Sequence, residues 1–395
     1  MTAPRNDPAP EVALAEWVAL LDRSGALEPA PVERVALADA LGRVAASDVE
    51  ALHPNPPHRC AAMDGIAVQS AATAFAPVVL GTGEYATIDT GEAIDEPWDA
   101  VVPVEEIAPD PDGVLVRHVV APGAHVRPAG EDVEAGAVVI EAGARLGPYD
   151  LALAAAVGHA ALPVRLQVPV AIIPTGDELR VPGARLEPGE IVDSNSVMLA
   201  ARLREEGIPA HVLGVVRDDP VALEVAVRSA VETYRVVLVL AGSSRGTRDH
   251  TAVVLERCGT LAVRRVALRP AHPVLLGAVG SRAVVGVPGY PVSAALTLER
   301  FVLPLLDRLS ARRRPPLTLR VRVTSELHPR RDSEVVVPLV LEPGADGIPH
   351  GVPQSRRGGA LSGLARAGAM LRLPAGGDVV AAGSVVEAEP LSARR

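Results

Sequence analysis

Three short polar segments of this sequence could together hold an anion. They occupy positions 174–179 (PTGDEL), 241–247 (AGSSRGT) and 288–293 (PGYPVS), and each follows a run of apolar residues. Glycine lets backbone amides approach an anion closely, and hydroxyl groups and helix N-termini supply further donors. Because glycine and serine also build ordinary tight turns, one such segment alone is weak evidence. Three of them at one edge of a sheet would form a cradle for a phosphorylated small molecule.

A set of carboxylates forms the second group of candidates. An acidic residue near an anion cradle is costly unless a cation lies between them, so these side chains suggest an oxygen-liganded Mg²⁺ ion. Most of them could instead be turn residues or helix caps, and Asp218 and Asp219 before Pro220 fit a cap well. Asp64, in the AMDG stretch at 62–65, has no capping pattern beside it. The acidic candidates are Asp64, Asp132, Glu178, Asp218 and Asp249.

The composition excludes several functional classes. The chain has 395 residues and a formal net charge of −10, and aromatic residues make up 2% of it. Nucleic-acid binding needs a basic face and usually aromatic platforms, so we expect no nucleic-acid partner. Cys60 and Cys258 form no C-x-x-C zinc pattern. Since no apolar run has the length of a membrane span and no signal-peptide pattern is found, we expect a cytoplasmic protein without membrane contact.

Residues 168–310 predict the sheet that positions the polar segments. Short apolar stretches alternate there with amphipathic stretches of helical period, which is typical of a parallel sheet covered by helices on both faces. Ligands of such sheets bind beyond the carboxyl ends of the strands, where the three polar segments fall. We predict strands at 168–173, 211–216, 236–240 and 283–287, and helices at 195–206, 220–233, 249–258 and 291–309.

The flanking sequence predicts the other parts of an α/β multidomain protein. Helical periodicity at 10–45 indicates two helices, the second at 35–41, and an alanine-rich helix follows at 146–158. Short strands with Gly and Asp turns indicate a β-rich insertion between them, and alternating residues after the basic linker at 312–316 indicate a small barrel. The predicted domains are a helical N-terminal domain (8–50 and 137–167), an inserted β-rich domain (51–136), a doubly wound α/β domain (168–311) and a C-terminal β-barrel (315–391).

A series of motifs resembles one protein family along nearly the whole chain. The ordered set is similar to that of the molybdopterin molybdenumtransferases, the MoeA and gephyrin E-domain family, and extends from about residue 10 to 390. The single motifs are unspecific, whereas their order is highly specific. They are AMDGIAV at 62–68, RPAGED at 127–132 with GAVV at 136–139, PTGDEL at 174–179, DSN at 193–195 and VPGYPVSA at 287–294.

The resemblance implies an activity and an assembly. Members of the family insert molybdate into the dithiolene of adenylylated molybdopterin, and AMP is released as the molybdenum cofactor forms. The resemblance further implies Mg²⁺, a pterin-binding α/β domain, transient contacts with the pterin adenylyltransferase and with molybdoenzymes, and a homodimer in which Asp64 enters the site of the partner subunit. Molybdate insertion is ligand exchange at a metal, so positioning and electrostatics, rather than a covalent nucleophile, are expected to provide catalysis.

The resemblance also assigns roles to residues by their motifs. The family's Lys-Pro-Gly-Lys-Pro loop reads RPAHP at 269–273, where Arg269 can grip a phosphate in a fork and His272 is largely neutral at pH 7. We expect Arg245 in the neighbouring loop to restore the missing charge. The predicted catalytic residues are Asp64, Thr90, Asp132, Glu178, Asp218 and Asp249, of which Asp64, Glu178 and Asp249 are the predicted metal ligands. The predicted pterin-binding residues are Thr175, Gly176, Asp177, Gly242, Ser243, Ser244, Arg245, Arg269, His272, Pro288, Gly289, Pro291 and Ser293.

Two other functions compete with this interpretation. The altered loop at 269–273 favours a non-catalytic protein that stores or hands on the finished cofactor, whereas Asp64, Glu178 and Asp249 disfavour it. A pterin adenylyltransferase would share the α/β domain, but the inserted β-rich domain and the barrel argue against that activity.

Overall fold

The computed structural model describes residues 7–240, 250–355 and 360–391. The chain divides into two compact units, and we describe each by itself. One unit comprises Val32–Val164, and the other comprises the sequence before and after it. Within the described ranges no helix is long and apolar enough to cross a membrane. The four-domain boundaries stay a prediction.

The first helix, α1 (Pro10–Arg23), packs against the sheet of the α/β domain. Proline is well suited to its first position, where an amide donor is not needed. Ala13, Trp17 and Leu21 are spaced four residues apart, lie on one face of the helix and are fully buried. The Trp17 indole Nε1 donates a hydrogen bond of 2.9 Å to the carbonyl oxygen of Gly277. The predicted amphipathic first helix is therefore confirmed.

The 32–164 unit consists mainly of short antiparallel strands. Two three-stranded sheets have the orders β6-β4-β7 and β5-β9-β8, and the pairs β1-β12, β2-β11 and β3-β10 complete it. One helix, α2 (Pro148–Ala156), confirms the alanine-rich helix predicted there. The strands are β1 (Val32–Ala36), β2 (Val49–Glu50), β3 (Cys60–Ala61), β4 (Gly65–Val68), β5 (Val78–Leu80), β6 (Tyr85–Ile88), β7 (Ala100–Pro103), β8 (Ile107–Asp110), β9 (Gly113–Val116), β10 (Val126–Arg127), β11 (Val138–Ile140) and β12 (Ala161–Arg165).

The helix predicted at 35–41 is wrong. The chain forms strand β1 up to Ala36 and then a single 3₁₀ turn at Leu37–Asp39. Exposed and partly buried residues alternate along β1, which is the period of two that a strand requires. Val35 and Leu37 pack against a core that contains Leu162 and Val164 of β12. Pairing with a strand more than 120 residues away therefore decides this local structure, and the short apolar pattern is ambiguous without it.

The remaining elements build the α/β domain and the barrel. Helices and strands are interspersed as far as the seventh helix, and most elements after it are strands. The helices are α3 (Ser194–Glu205), α4 (Pro220–Thr233), α5 (His250–Cys258), α6 (Pro291–Thr297), α7 (Leu303–Leu309) and α8 (Leu361–Arg366). The strands are β13 (Val170–Pro174), β14 (Leu179–Arg180), β15 (Ile191–Val192), β16 (Ala210–Val212), β17 (Val236–Leu240), β18 (Thr260–Val263), β19 (Leu268–Arg269), β20 (Leu275–Val279), β21 (Arg282–Val287), β22 (Leu319–Val323), β23 (Glu334–Glu342), β24 (His350–Pro353), β25 (Ala369–Leu373) and β26 (Val385–Pro390).

The sheet of the α/β domain has six strands in the order β16-β13-β17-β21-β20-β18. The first four strands pair in parallel, as predicted. Strand β20 pairs antiparallel with β21, and β18 pairs antiparallel with β20. Alternate residues of the central strands enter two different cores. Ile172 and Leu238 pack with α1, α3, α6 and α7, whereas Ile173 and Val239 pack with α4 and α5. The sheet is therefore covered on both faces, as predicted, and two antiparallel strands that we did not predict extend it at one edge.

The last helical segment and the barrel complete this unit. The helix predicted at 291–309 is α6 and α7 joined by a π-helical stretch, Leu298–Val302. Five strands, in the cyclic order β23-β24-β22-β26-β25, then close into the predicted barrel. Strand β19 leaves the α/β domain and pairs in parallel with β23 at the barrel's edge. The two domains are thus connected by backbone pairing as well as by the linker.

Candidate active site

The ends of three parallel strands lie side by side. Pro174 is the partner of Leu240 in the register of β13 and β17, and Leu240 is the partner of Val287 in the register of β17 and β21. The segments that follow these three residues therefore begin at one edge of the sheet. This confirms the predicted convergence for the strand ends. The middle loop lies outside the described residues, and with it Gly242, Ser243, Ser244, Arg245 and Asp249.

The first segment uses its polar groups to join neighbouring strand ends. Thr175 is buried, and its hydroxyl donates a 2.7 Å hydrogen bond to the Leu240 carbonyl oxygen. The Gly176 amide donates to the Val216 carbonyl oxygen over 3.0 Å. Neither donor is free for an anion, which differs from the role that we predicted. Gly176 has a φ of +146°, which side-chain-bearing residues rarely adopt, so the backbone conformation favours glycine here. A Cβ atom at this position would also lie 2.6 Å from Oε2 of Glu178.

The third polar segment, at 288–293, is held by Asn195, which we did not predict as a site residue. Asn195, at the start of α3, donates from Nδ2 to the carbonyl oxygen of Gly289 over 2.7 Å. Asp193 caps the same helix, because its Oδ1 accepts a 3.0 Å hydrogen bond from the Ser196 amide. The DSN motif could have drawn attention to Asn195, since it was recognised as a motif. Pro288 precedes Gly289, and Pro291 begins α6.

A cavity of about 610 Å³ opens between this edge of the α/β domain and the barrel. Two predicted pterin-binding residues, Arg269 and Ser293, line it. The Ser293 hydroxyl donates to the Pro270 carbonyl oxygen over 3.1 Å and so connects α6 to the loop of Arg269. We did not predict that the barrel contributes to the cavity wall, because its lining residues lie about 60 residues after Arg269 in the sequence. The lining residues are Arg269, Pro270, Tyr290, Ser293, His328, Pro329, Arg330 and Val335.

The cavity has a positive lining. Arg269 and Arg330 contribute guanidinium groups, and none of the described residues that line the cavity is a carboxylate. Among the described residues, Nε of Arg269 is buried without a hydrogen-bond partner. Arg330 donates from Nε to Oδ1 of Asp332 over 3.1 Å, so part of its charge is balanced just outside the cavity. An anion in the cavity would find charge-assisted donors on the guanidinium group of Arg269.

His272 does not line the cavity. Its ring is half-buried, and Nδ1 lies 3.1 Å from the Val266 carbonyl oxygen and 3.3 Å from Oδ2 of Asp7. Nε2 contacts the Arg265 guanidinium. Burial lowers the pKa of His272, and the charge of Arg265 lowers it further. The imidazole is therefore neutral at pH 7, as predicted, and it anchors its own loop.

In the other unit, Asp64 and Thr90 form a pair. Oδ1 of Asp64 accepts hydrogen bonds from the Thr90 hydroxyl (2.6 Å) and from the Thr90 amide (2.7 Å). These two hydrogen bonds lower the pKa of the exposed Asp64 carboxyl, so it is ionised at neutral pH. Position 65, directly after Asp64, requires glycine, because a Cβ atom there would lie 2.0 Å from the Val102 carbonyl oxygen of the paired strand β7. Asp64, before β4, and Thr90, after the neighbouring strand β6, thus present an ionised carboxylate at a fixed position.

The other predicted acids have different surroundings. Oδ2 of Asp132 accepts a 2.9 Å hydrogen bond from Nδ2 of Asn55 and ties two loop segments together. Asp177 and Asp218 are exposed. Oδ1 of Asp219 accepts from the Val221 amide at the start of α4, which confirms the predicted cap. Within the described ranges no three His, Cys, Asp or Glu side chains converge as a metal site would require.

Comparison with known proteins agrees with this architecture. Residues 11–158 match the family described as "MoeA N-terminal region (domain I and II)", and residues 171–308 match the "Probable molybdopterin binding domain". The chain is 33% identical over 349 residues to molybdopterin molybdenumtransferase 2 of Mycobacterium tuberculosis, which covers 82% of each chain. This chain belongs to the molybdopterin molybdenumtransferase family.

Two further relatives extend the match. The molybdopterin molybdenumtransferase of Synechococcus elongatus is 32% identical, covering 92% of this chain and 95% of its own. The crystal structure of the molybdopterin biosynthesis MoeA protein from Pyrococcus horikosii superimposes with a TM-score of 0.78 at 29% identity, covering 97% of this chain and 98% of its own. The family resemblance and the fold class inferred from the sequence are therefore confirmed. The family is one of transferases, and a carrier or an adenylyltransferase is not favoured.

Proposed function

We propose that this chain transfers molybdenum from molybdate to the dithiolene of adenylylated molybdopterin, with release of AMP and formation of the molybdenum cofactor. The cavity between the α/β domain and the barrel carries this proposal. Its lining, as far as the structure describes it, contains two guanidinium groups and no carboxylate. Molybdate is a dianion, and the adenylylated pterin is joined through phosphate groups, so each needs cationic donors. The family's substrates and the lining of the cavity agree in charge.

The residues of the cavity would act by binding and orientation. Arg269 and Arg330 would hold the oxyanion, either molybdate or a phosphate of the pterin substrate, from the two walls. The Ser293 hydroxyl is engaged with the Pro270 carbonyl oxygen, so it fixes the Arg269 loop and is not available as a nucleophile. Catalysis would then follow from the close approach of two bound substrates and from preorganised positive charge.

The acidic candidates belong to the same proposal. Asp64, Glu178 and Asp249 would be Mg²⁺ ligands, because carboxylate oxygens are the ligands that this ion prefers and Asp64 is held ionised. When bound, the ion would neutralise charge on the phosphate groups. We further propose a cytoplasmic homodimer in which Asp64 serves the site of the second copy. Transient contacts would follow with the pterin adenylyltransferase and with the molybdoenzymes that receive the cofactor.

Two arginine variants test the cavity. We expect Arg269→Ala and Arg330→Ala each to weaken binding of molybdate or of adenylylated molybdopterin roughly tenfold to a hundredfold, since each removes a charge-assisted hydrogen bond worth ~1.5–3 kcal/mol. Calorimetry with each compound alone tells which oxyanion the cavity binds. Arg331→Ala is the matched control, because Arg331 is exposed on the same barrel segment and is not a lining residue.

A turnover assay completes this test. The wild-type protein, incubated with adenylylated molybdopterin, molybdate and Mg²⁺, should release AMP and yield active cofactor. Unchanged affinity in both cavity variants would show that the cavity is not the binding site. Tight binding without AMP release would identify a carrier instead of an enzyme.

A further inference from the structure

Four charged residues form a cluster behind the cavity. Glu11 belongs to the first turn of α1, Arg300 to the π-helical stretch, Glu334 to the start of β23, and Arg372 to β25. Oε1 of Glu11 accepts from Nη2 of Arg300 (2.6 Å) and from Nη2 of Arg372 (2.7 Å). Nε and Nη2 of Arg372 lie 3.2 and 2.9 Å from the two carboxylate oxygens of Glu334. The cluster thus connects the α/β domain to the barrel.

Glu334 is the least exposed member of the cluster and lies directly beside the cavity wall. Its side chain is 9% exposed, and its neighbour Val335 lines the cavity. The Glu334 amide donates to the Ala267 carbonyl oxygen over 2.9 Å, and Val335 is the register partner of Arg269. Successive side chains of a strand point to opposite faces, so Val335 and the Glu334 carboxylate lie on opposite sides of this pairing.

The π-helical stretch connects the charge cluster to the cavity wall that the α/β domain forms. Arg300 lies seven residues after Ser293, which lines the cavity. Nη2 of Arg300 is 3.5 Å from Oε1 of Glu334, whereas the preceding residue, Glu299, pairs with Arg202 of α3 over 2.8 Å. An inserted π turn changes the direction of the side chains that follow it, and such turns occur often at functional sites. Here it lets two successive charged residues reach different partners.

We propose that Glu334, with Arg300 and Arg372, is a positioning residue that sets the separation of the two cavity walls and thereby the affinity of the cavity for its oxyanion. This inference rests on the proposed function for the identity of the oxyanion. Glu334 does not line the cavity. It acts through the β19–β23 pairing, which places Arg269 opposite Val335. The fork-shaped pairing between Arg372 and Glu334 joins two neighbouring barrel strands and fixes the distance and the angle of the Glu334 carboxylate, which a single point charge does not. Held in this way, the carboxylate reaches Arg300, which belongs to the other wall.

The test compares two variants with a matched control. We expect Glu334→Gln and Arg372→Lys each to raise the Kd for molybdate roughly three- to thirtyfold, the range found for substitutions that act through a packed network. Arg372→Lys keeps the charge and loses the fork, so a wild-type Kd in that variant would contradict the geometric role. Glu389→Gln is the control, because Glu389 contacts the same arginine (3.4 Å) from an exposed position and should leave the Kd unchanged.

Hydrogen exchange separates positioning from general stability. In both variants the segment containing Glu334 should exchange faster, while strand β17 in the centre of the sheet keeps its wild-type protection. An equal loss of protection in both segments would show a merely structural role and overturn the proposal, as would an unchanged Kd. If Glu334→Gln does not fold, Arg372→Lys decides by the same two measurements. If the wild-type protein binds no molybdate, the proposed substrate fails, and the exchange measurement still decides whether the cluster holds the wall.

Discussion

At the scale of single residues, the structure changes the meaning of several correctly located side chains. Thr175 and Gly176 are at the predicted sheet edge, but their donors join strand ends. His272 is neutral as predicted, yet it contacts Arg265 and Asp7 and does not line the cavity. A motif fixes where such residues are in the chain. Their hydrogen-bond partners come from segments far away in sequence, so the direction of each side chain could not be predicted from the motif.

Asp64 gives the clearest residue-scale prediction. We expect Asp64→Asn to abolish molybdate-dependent AMP release while the variant stays folded, with a Tm within about 2 °C of the wild type because the side chain is exposed. The reason is that Thr90 already holds Oδ1, so the carboxylate is oriented and ionised without a buried structural task. AMP release and thermal unfolding are measured together.

Asp89→Asn is the matched control for Asp64→Asn, because it removes an exposed carboxylate directly before Thr90. We expect it to keep both activity and Tm. Wild-type turnover in Asp64→Asn would remove Asp64 from the site. A large loss of Tm would instead assign it a structural role.

At the scale of elements, the sequence predicted best where local signals agree. Helix α4 has the predicted bounds because Asp219 caps it, Pro220 occupies its first position, and its buried positions Leu223, Val227 and Ala230 recur at helical spacing. Strand β17 also has the predicted bounds. The antiparallel strands β18 and β20 were missed, because each is short and only their pairing at the sheet edge distinguishes them from loops. The π-helical stretch between α6 and α7 leaves no signal in the hydrophobic pattern of the sequence.

The buried carboxylate of Glu206 holds the linker that follows α7. Glu206, at the end of α3, accepts hydrogen bonds from Arg202 (2.5 Å), Arg312 (2.7 Å) and Arg314 (3.0 Å), and its side chain is 6% exposed. Burial alone would raise the pKa of the Glu206 carboxyl. The hydrogen bonds from Arg314 and Arg312, with the charge of Arg202, outweigh burial and hold this pKa well below its ordinary value. The linker before the barrel is therefore fixed to the α/β domain.

We expect Glu206→Gln to lower the free energy of unfolding by roughly 3 kcal/mol, since it leaves buried guanidinium groups without their counter-charge. A depressed folded-state pKa contributes stability that is present above the unfolded-state value and is lost as the pH falls through the folded-state pKa. As the pH is lowered from 5, the free energy of unfolding should therefore decrease more for the wild type than for the variant. Urea unfolding as a function of pH measures both effects.

Glu205→Gln on the same helix is the control for this charge, because the Glu205 side chain is 36% exposed and its pair with Arg202 spans 3.4 Å. We expect its unfolding curve to stay within about 0.5 kcal/mol of the wild type. Equal stability of Glu206→Gln and Glu205→Gln at neutral pH would refute the role of the buried cluster.

At the scale of the whole molecule, order along the chain was predicted and the cavity was not. The alternation of apolar strands and amphipathic helices indicated the α/β domain, and the alternating residues after 316 indicated the barrel. The cavity needs both domains at once, because Arg269 and Arg330 approach it from opposite walls. Docking between domains depends on β19, two residues long, and on a charge cluster whose four members span residues 11 to 372. No local pattern encodes such a contact.

The last prediction concerns the proposed homodimer. If Asp64 of one copy serves the site of the other, a chain with Asp64→Ala and a chain with Arg269→Ala are each defective in a different part of a shared site. A mixed dimer then contains one site with both residues intact. Mixing the two proteins should therefore restore part of the AMP release at substrate concentrations that saturate the wild-type protein but leave the Arg269→Ala protein nearly unbound. Random exchange of equal amounts produces mixed dimers as about half of the population, each with one intact site, which corresponds to roughly a quarter of wild-type activity.

Two measurements make the outcome decisive. Sedimentation of the single variants must give the mass of a dimer, and a differently tagged copy must co-purify after mixing, which shows that subunits exchange. The matched control mixes Asp64→Ala with a second chain that carries both Asp64→Ala and Arg269→Ala, and it should stay inactive because no Asp64 is present. Exchange without any recovered activity would mean that Asp64 and Arg269 act in the same copy or that Asp64 is not part of the site. A monomer at assay concentration would reject the shared site altogether, because each chain would then have to supply every catalytic group itself.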